Sequence, residues 1–142
     1  MKDQKEIGKM IYILSKQMKR QFDKSVSKNE ITSIQARIMH YILEHSPERD
    51  IFQKDIEEEF NIRRSSATGI LKLMEKNRMI KREIVSYDAR LKKIILTEKA
   101  LKMEEEIAYD IQRLEKKLIK DISEEEIEIF SKVVDKILKN LE

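Results

Sequence analysis

Two stretches of the chain carry side chains suited to chemistry. Residues 63–72, RRSSATGILK, mix cations with short hydroxyl side chains, and residues 86–90, SYDAR, put Asp88 and Arg90 between the β-branched runs IKREIV and KKIILT. Cations neutralise phosphates, and short polar side chains reach base edges, so the chemistry these residues suit is recognition of a nucleic acid. A guanidinium on a hairpin tip can enter a minor groove, where a narrow A·T-rich segment concentrates negative potential. The competing account of Asp88 and Arg90 is a surface ion pair, worth less than ~1 kcal/mol. That account does not explain why the pair would cap an exposed hairpin.

Charge distribution points the same way. The 142 residues carry a net charge of only +3, yet residues 63–93 hold ten Lys or Arg against Glu75, Glu83 and Asp88, a local +7 that leaves −4 for the remainder. A basic block in an otherwise acidic chain fits a nucleic-acid face, although a Lys-rich solvated surface would by itself account for the charge.

Other chemistries find little support. There is no Cys, which excludes disulfides, thiolate metal sites and cysteine-based redox sensing. No Gly-rich phosphate loop or nucleophile–base pair is present, so the chain is not expected to be an enzyme or to need a cofactor. His40 and His45 are five residues apart, a poorer chelating geometry on a helix than four, and read as packed or surface histidines rather than metal ligands. The Glu runs at 57–59, 104–106 and 124–126 read as solvated helix faces. No apolar run approaches the roughly 20 residues that span a bilayer, and MKDQKEIGKM lacks a signal-peptide core, so no membrane association and a cytoplasmic location are expected.

The elements that must position these residues are mostly helical, as 2 Gly, 1 Pro and 40% charged residues suggest. Ile7, Ile11, Leu14, Met18 and Phe22 form a three–four stripe in the first helix, which SVSKNE ends. Thr32 with Gln35 is a capping box opening a second helix with the stripe Ile34, Ile38, Tyr41 and Ile42, ended by HSPERD. A short helix is expected over 51–60, with Ile56 and Phe60 inward and Asn61 in a tight turn. Another follows over 64–76, with Ala67, Ile70 or Leu71, and Met74 inward and Arg64, Ser65, Ser66, Thr68 and Lys72 outward. Two β-like runs joined by SYDAR make a two-stranded wing. Thr97 caps a long helix carrying Ile107, Ile111, Leu114 and Leu118. Ser123 with Glu126 opens the last one, along which Ile127, Phe130, Val134, Ile137 and Leu141 recur. The fold class is therefore mainly α with a small β-hairpin wing (α+β), a single domain.

In this order of elements, TSIQARIM, FQKDIEEEF, SSATGILKLMEKNRMIKRE and above all DARLKKIILTEKA resemble the MarR family of winged helix-turn-helix transcription regulators over essentially the whole chain. The resemblance implies a DNA-binding lobe over residues 31–97 and dimerisation helices over 1–28 and 98–142. The N-terminal end of a recognition helix enters the major groove, so Arg63, Arg64, Ser65, Ser66, Thr68 and Lys72 are candidate DNA contacts. In the family the arginine matching Arg90 enters the minor groove and the aspartate matching Asp88 holds it, with Lys92 alongside on the wing. The partners implied are a pseudo-palindromic double-stranded DNA operator, a second copy of the chain, and a small aromatic or anionic effector. Met10, Tyr12, Leu14 and Tyr41 lie on helices that could line the effector crevice. Repression released by such a ligand is the regulation the family suggests. The alternative is a helical dimeric adaptor that keeps the winged fold without reading sequence.

Two departures from the family pattern stand out. Arg78 occupies the place of the usual Gly after the recognition helix. Asn77 tolerates the left-handed conformation best among non-Gly residues, so the helix is expected to end one residue early. Gly69 stands where a larger polar residue often faces DNA, at a cost of ~1 kcal/mol of helix stability relative to Ala; it reads either as a close approach of the backbone to the duplex or, preferred here, as a lost contact.

Overall fold

In the computed structural model, described over residues 6–26 and 31–142, the elements run α1 (Ile7–Val26), α2 (Ser33–His45), α3 (Gln53–Glu59), α4 (Arg64–Lys76), β1 (Ile80–Val85), β2 (Asp88–Leu96), α5 (Glu98–Leu118) and α6 (Glu124–Asn140). This is the order expected from the sequence. Residues 1–5 and 27–30, which include most of SVSKNE and part of the proposed 1–28 dimerisation segment, lie outside the described residues. No described helix is long and apolar enough to cross a membrane.

Helix starts follow local chemistry. The Thr32 hydroxyl accepts the Gln35 N–H at 3.3 Å while Gln35 Oε1 accepts the Thr32 N–H at 3.2 Å. Ser123 and Glu126 repeat the arrangement ahead of α6. Each box satisfies two backbone donors that the helix itself leaves unpaired. Asn61 takes φ 49°, as the tight α3–α4 turn requires.

By internal contacts the chain forms two units, one ending at Asp110 and the other running from Ile111 to Glu142. The first has its core where α2, α3, α4 and the hairpin meet: Ile38, Met39, Ile42, Ile56, Ala67, Leu71, Met74, Ile80 and Ile94 are all buried. Leu71, not Ile70, faces inward on α4. On α1 only Phe22 of the apolar stripe is buried, with the Arg37 guanidinium 5.9 Å from its ring centroid, while Ile7, Ile11 and Leu14 are exposed. In the second unit Ile111 and Leu114 are buried, but α6 buries no residue: Ile127, Val134 and Ile137 are half-buried and Phe130 and Leu141 exposed.

Four expectations need correction. The short helix begins at Gln53, not Ile51. Ile51 is extended and buried, and its carbonyl accepts the Ile94 N–H at 2.7 Å, so it pairs with the hairpin instead of starting a helix. Phe60 is only half-buried, its ring edge-on to Tyr41 at 6.0 Å. The helix before the wing does not end one residue early: Asn77 keeps φ −84° and Arg78 itself adopts φ 60°. The Thr97 hydroxyl bonds the Arg78 carbonyl at 2.5 Å and Lys99 Nζ donates to the Asn77 carbonyl at 3.1 Å, which holds the strained turn closed. Finally, Glu104 is not part of a solvated face; it is 2% exposed and bonded to His40.

Candidate nucleic-acid interface

Helix α4 is capped by backbone alone. Arg63 is its N-cap residue and no side chain bonds the first-turn donors, so Ser65 and Ser66 do not act as caps. Arg63, Arg64, Ser65, Ser66 and Lys72 are all exposed, and the orphan N–H groups of the first turn add a positive helix end to the cations. Thr68 differs. Its hydroxyl donates to the Arg64 carbonyl at 2.8 Å and accepts from Gln53 Nε2 at 2.9 Å. The second bond holds α3 to the exposed face of α4, and together they leave the Thr68 hydroxyl one acceptor lone pair and no free proton. Gln53, which sequence reasoning passed over, is therefore the residue that fixes Thr68. A β-carbon added at Gly69 would meet nothing within 4 Å, so the glycine is not required by packing within the chain.

The wing is shaped by a bulge. The β1–β2 ladder runs from Ile80–Leu96 to Ile84–Lys92 and then steps to Val85–Asp88, which leaves Ala89, Arg90 and Leu91 without an opposite residue. The turn itself is Ser86 and Tyr87, so Asp88 and Arg90 open β2 and do not form the tip as the sequence suggested. Asp88 replaces the missing ladder bonds: Oδ1 accepts the Arg90 backbone N–H at 2.9 Å, and the two carboxylate oxygens accept Nε and a terminal nitrogen of the same residue at 3.2 Å each. Bulges re-aim side chains, and a bidentate carboxylate fixes the plane of a guanidinium. Arg90 is held by its base with 90% of its side chain in solvent. The Arg90 bonds, side chain first and backbone second, hold the Asp88 carboxyl below its ordinary range.

Asp50, before α3, ties the hairpin to the helices. Tyr87 donates to its Oδ2 at 3.0 Å and Lys93 Nζ lies 3.8 Å from Oδ1. Desolvation, its own bond to Asp50 and the charges of Asp50 and Asp88 raise the Tyr87 hydroxyl above its ordinary pKa. The tethers bring the wing beside α4, and the two elements with α3 enclose an open cleft lined by Lys54, Arg64, Arg82, Arg90 and Lys92, with Glu57 the acid on its wall. Of the nine candidate residues, Arg64, Thr68, Arg90 and Lys92 line this cleft, and Arg63, Ser65, Ser66 and Lys72 lie on or next to α4 beyond it; Asp88 stands behind Arg90.

Comparisons with known proteins bear on the fold that carries these residues. The MarR family model matches residues 30–91. No curated protein matches the chain by sequence. The fold is similar to the transcription regulator MarR from Oenococcus oeni PSU-1, at 28% identity and a TM-score of 0.84 over 94% of this chain and 99% of that one. It is also similar to S. aureus MepR in its DNA-binding conformation, at 25% identity and a TM-score of 0.83 over 97% and 100%. A complex of S. aureus MepR with DNA gives a TM-score of 0.86 at 24% identity over 96% and 97%. Residues 30–91 thus match the MarR family of transcription regulators, and the fold of nearly the whole chain is similar to that of solved MarR-type regulators.

Proposed function

We propose that the protein is a sequence-specific double-stranded DNA-binding regulator, acting as a homodimer on a pseudo-palindromic operator and most simply as a repressor. The observation that carries this reading is the pairing of an uncapped, cation-bearing α4 N-terminus with a wing arginine held outward by Asp88. Arg63, Arg64, Ser65 and Ser66 would meet the major groove, Lys72 and Lys92 the phosphates, and Arg90 the adjacent minor groove. Thr68 contributes by ordering α4 through Gln53. MepR, whose solved structures include a DNA complex, supports the same reading by likeness. Two-fold assembly is supported by α6, which lays an apolar stripe along its length yet has no buried residue. A small effector would release DNA by favouring the lobe spacing that does not fit the operator.

Selection of duplexes from a random library, followed by titration of a selected and an unrelated duplex at several salt concentrations, tests the reading. A palindromic consensus bound more tightly than the unrelated duplex is expected, with affinity falling steeply as salt rises. Equal, salt-insensitive affinity for both duplexes would favour the adaptor alternative.

A further inference from the structure

Arg82 projects from the middle of β1, opposite Ile94, into the cleft between α3, α4 and the wing. It is half-buried, its Nε is enclosed without an acceptor, and no hydrogen bond or ion pair among the described residues engages its guanidinium. An unsatisfied donor in such a place costs ~1–3 kcal/mol unless something else supplies the acceptor. Its neighbours on the cleft wall worsen the electrostatics. Lys54, Arg64, Arg90 and Lys92 face Glu57 alone, and only Arg90 has a carboxylate of its own, in Asp88. Gathered cations of this kind are stabilised by an anion.

The groove geometry says which anion. If α4 reads a major groove and Arg90 the minor groove beside it, the elements straddle the one sugar–phosphate strand that separates those grooves. The cleft between them faces that strand. We propose that this cleft seats a backbone phosphate of the duplex, held by Arg82 and Lys54 in addition to the contacts already named. The site rests on the DNA-binding reading given above. A phosphate contact here carries no sequence information; it fixes the distance between the recognition helix and the wing on the duplex, and so the register of both.

Arg82→Gln and Lys54→Gln each remove one charge. Affinity is measured from low to high salt for a duplex selected by the wild-type protein and for an unrelated duplex, with inorganic phosphate titrated separately by calorimetry. The expected result is a log–log salt slope shallower by about 0.9 in each variant, with a similar fold-loss on both duplexes and no fall in the thermal midpoints. Lys54 is exposed on α3, so Lys54→Gln keeps the test valid should Arg82→Gln fold poorly. Wild-type slopes in both variants, with a shallower slope in Arg64→Gln, would overturn the cleft site and leave the DNA reading standing. Phosphate binding that Arg82→Gln abolishes while duplex slopes stay unchanged would overturn it in favour of a free-anion site. No salt-dependent duplex binding by the wild type would overturn the functional reading and the site together.

Discussion

His40 Nδ1 on α2 is hydrogen-bonded to Glu104 Oε1 on α5 at 2.9 Å, across 64 residues of sequence, and the other Glu104 oxygen is buried without a partner. On its outer side the His40 Nε2 lies 3.8 Å from Glu44. The imidazole thus stands between one buried carboxylate and one exposed one, and joins the lobe to the first half of α5.

This contact makes stability depend on pH. Burial raises the Glu104 carboxyl above its ordinary value of 4.5, outweighing the opposing bond and charge of His40. The folded chain therefore holds that proton more tightly than the unfolded chain. Its contribution to stability is complete below the ordinary value and is lost as pH rises through the raised one. Relative to Glu104→Gln, the wild type should lose stability between acid and neutral pH, by on the order of 1 kcal/mol, the cost of an unpartnered buried polar group. Thermal melts of both proteins from pH 4 to 8 check it, and parallel curves would refute it.

Arg90→Ala should lower affinity for a selected duplex by on the order of tenfold, within the ~1–3 kcal/mol of a groove contact, with little change in the thermal midpoint. Arg90→Lys should recover part of the loss, because an ammonium is more strongly hydrated and cannot take the bidentate bond to Asp88. Asp88→Ala should lose less, since it frees the arginine without removing it and also deletes an acid near phosphate. Fluorescence anisotropy on duplexes varied outside the half-sites would locate the effect at A·T-preferring positions.

A charge on the α6 stripe should break the proposed dimer. Val134 and Ile137 are half-buried on a helix with no buried residue. Light scattering on the wild type should return twice the chain mass of 17.0 kDa. Val134→Glu or Ile137→Glu should return the single-chain mass at micromolar concentration, with helical circular dichroism retained and operator affinity reduced. A wild type that scatters as one chain would sink the dimeric reading.

Arg78→Gly should stabilise the free protein. Arg78 holds φ 60°, which costs a non-Gly residue roughly 1 kcal/mol or more, and its carbonyl bond to Thr97 is retained in the variant. A rise in the melting midpoint of about 4 °C is expected for a chain of this size. A fall would mean that the Arg78 side chain contributes more than its backbone strain costs.

Much of the architecture is written locally. Capping boxes at Thr32 and Ser123, the Asn61 turn and the three–four stripes involve residues within one or two turns of each other, so sequence alone determined where α2 and α6 begin and which faces are apolar. It also determined the basic block and the Asp88–Arg90 pair, because both lie within short stretches. What it could not determine depends on partners brought in from elsewhere. Ile51 reads as a helix start until Ile94 offers it a strand to pair with. Asn77 reads as the left-handed residue until the bonds of Thr97 and Lys99 to the Arg78 and Asn77 carbonyls hold the turn with Arg78 in that conformation instead. Thr68 reads as an outward hydroxyl until Gln53, brought in from α3, bonds it. Glu104 reads as one more solvated glutamate in a charged run. Only tertiary packing, which sets His40 of α2 against it, takes it out of water, because burial depends on what the rest of the chain places over a residue and not on its neighbours in sequence.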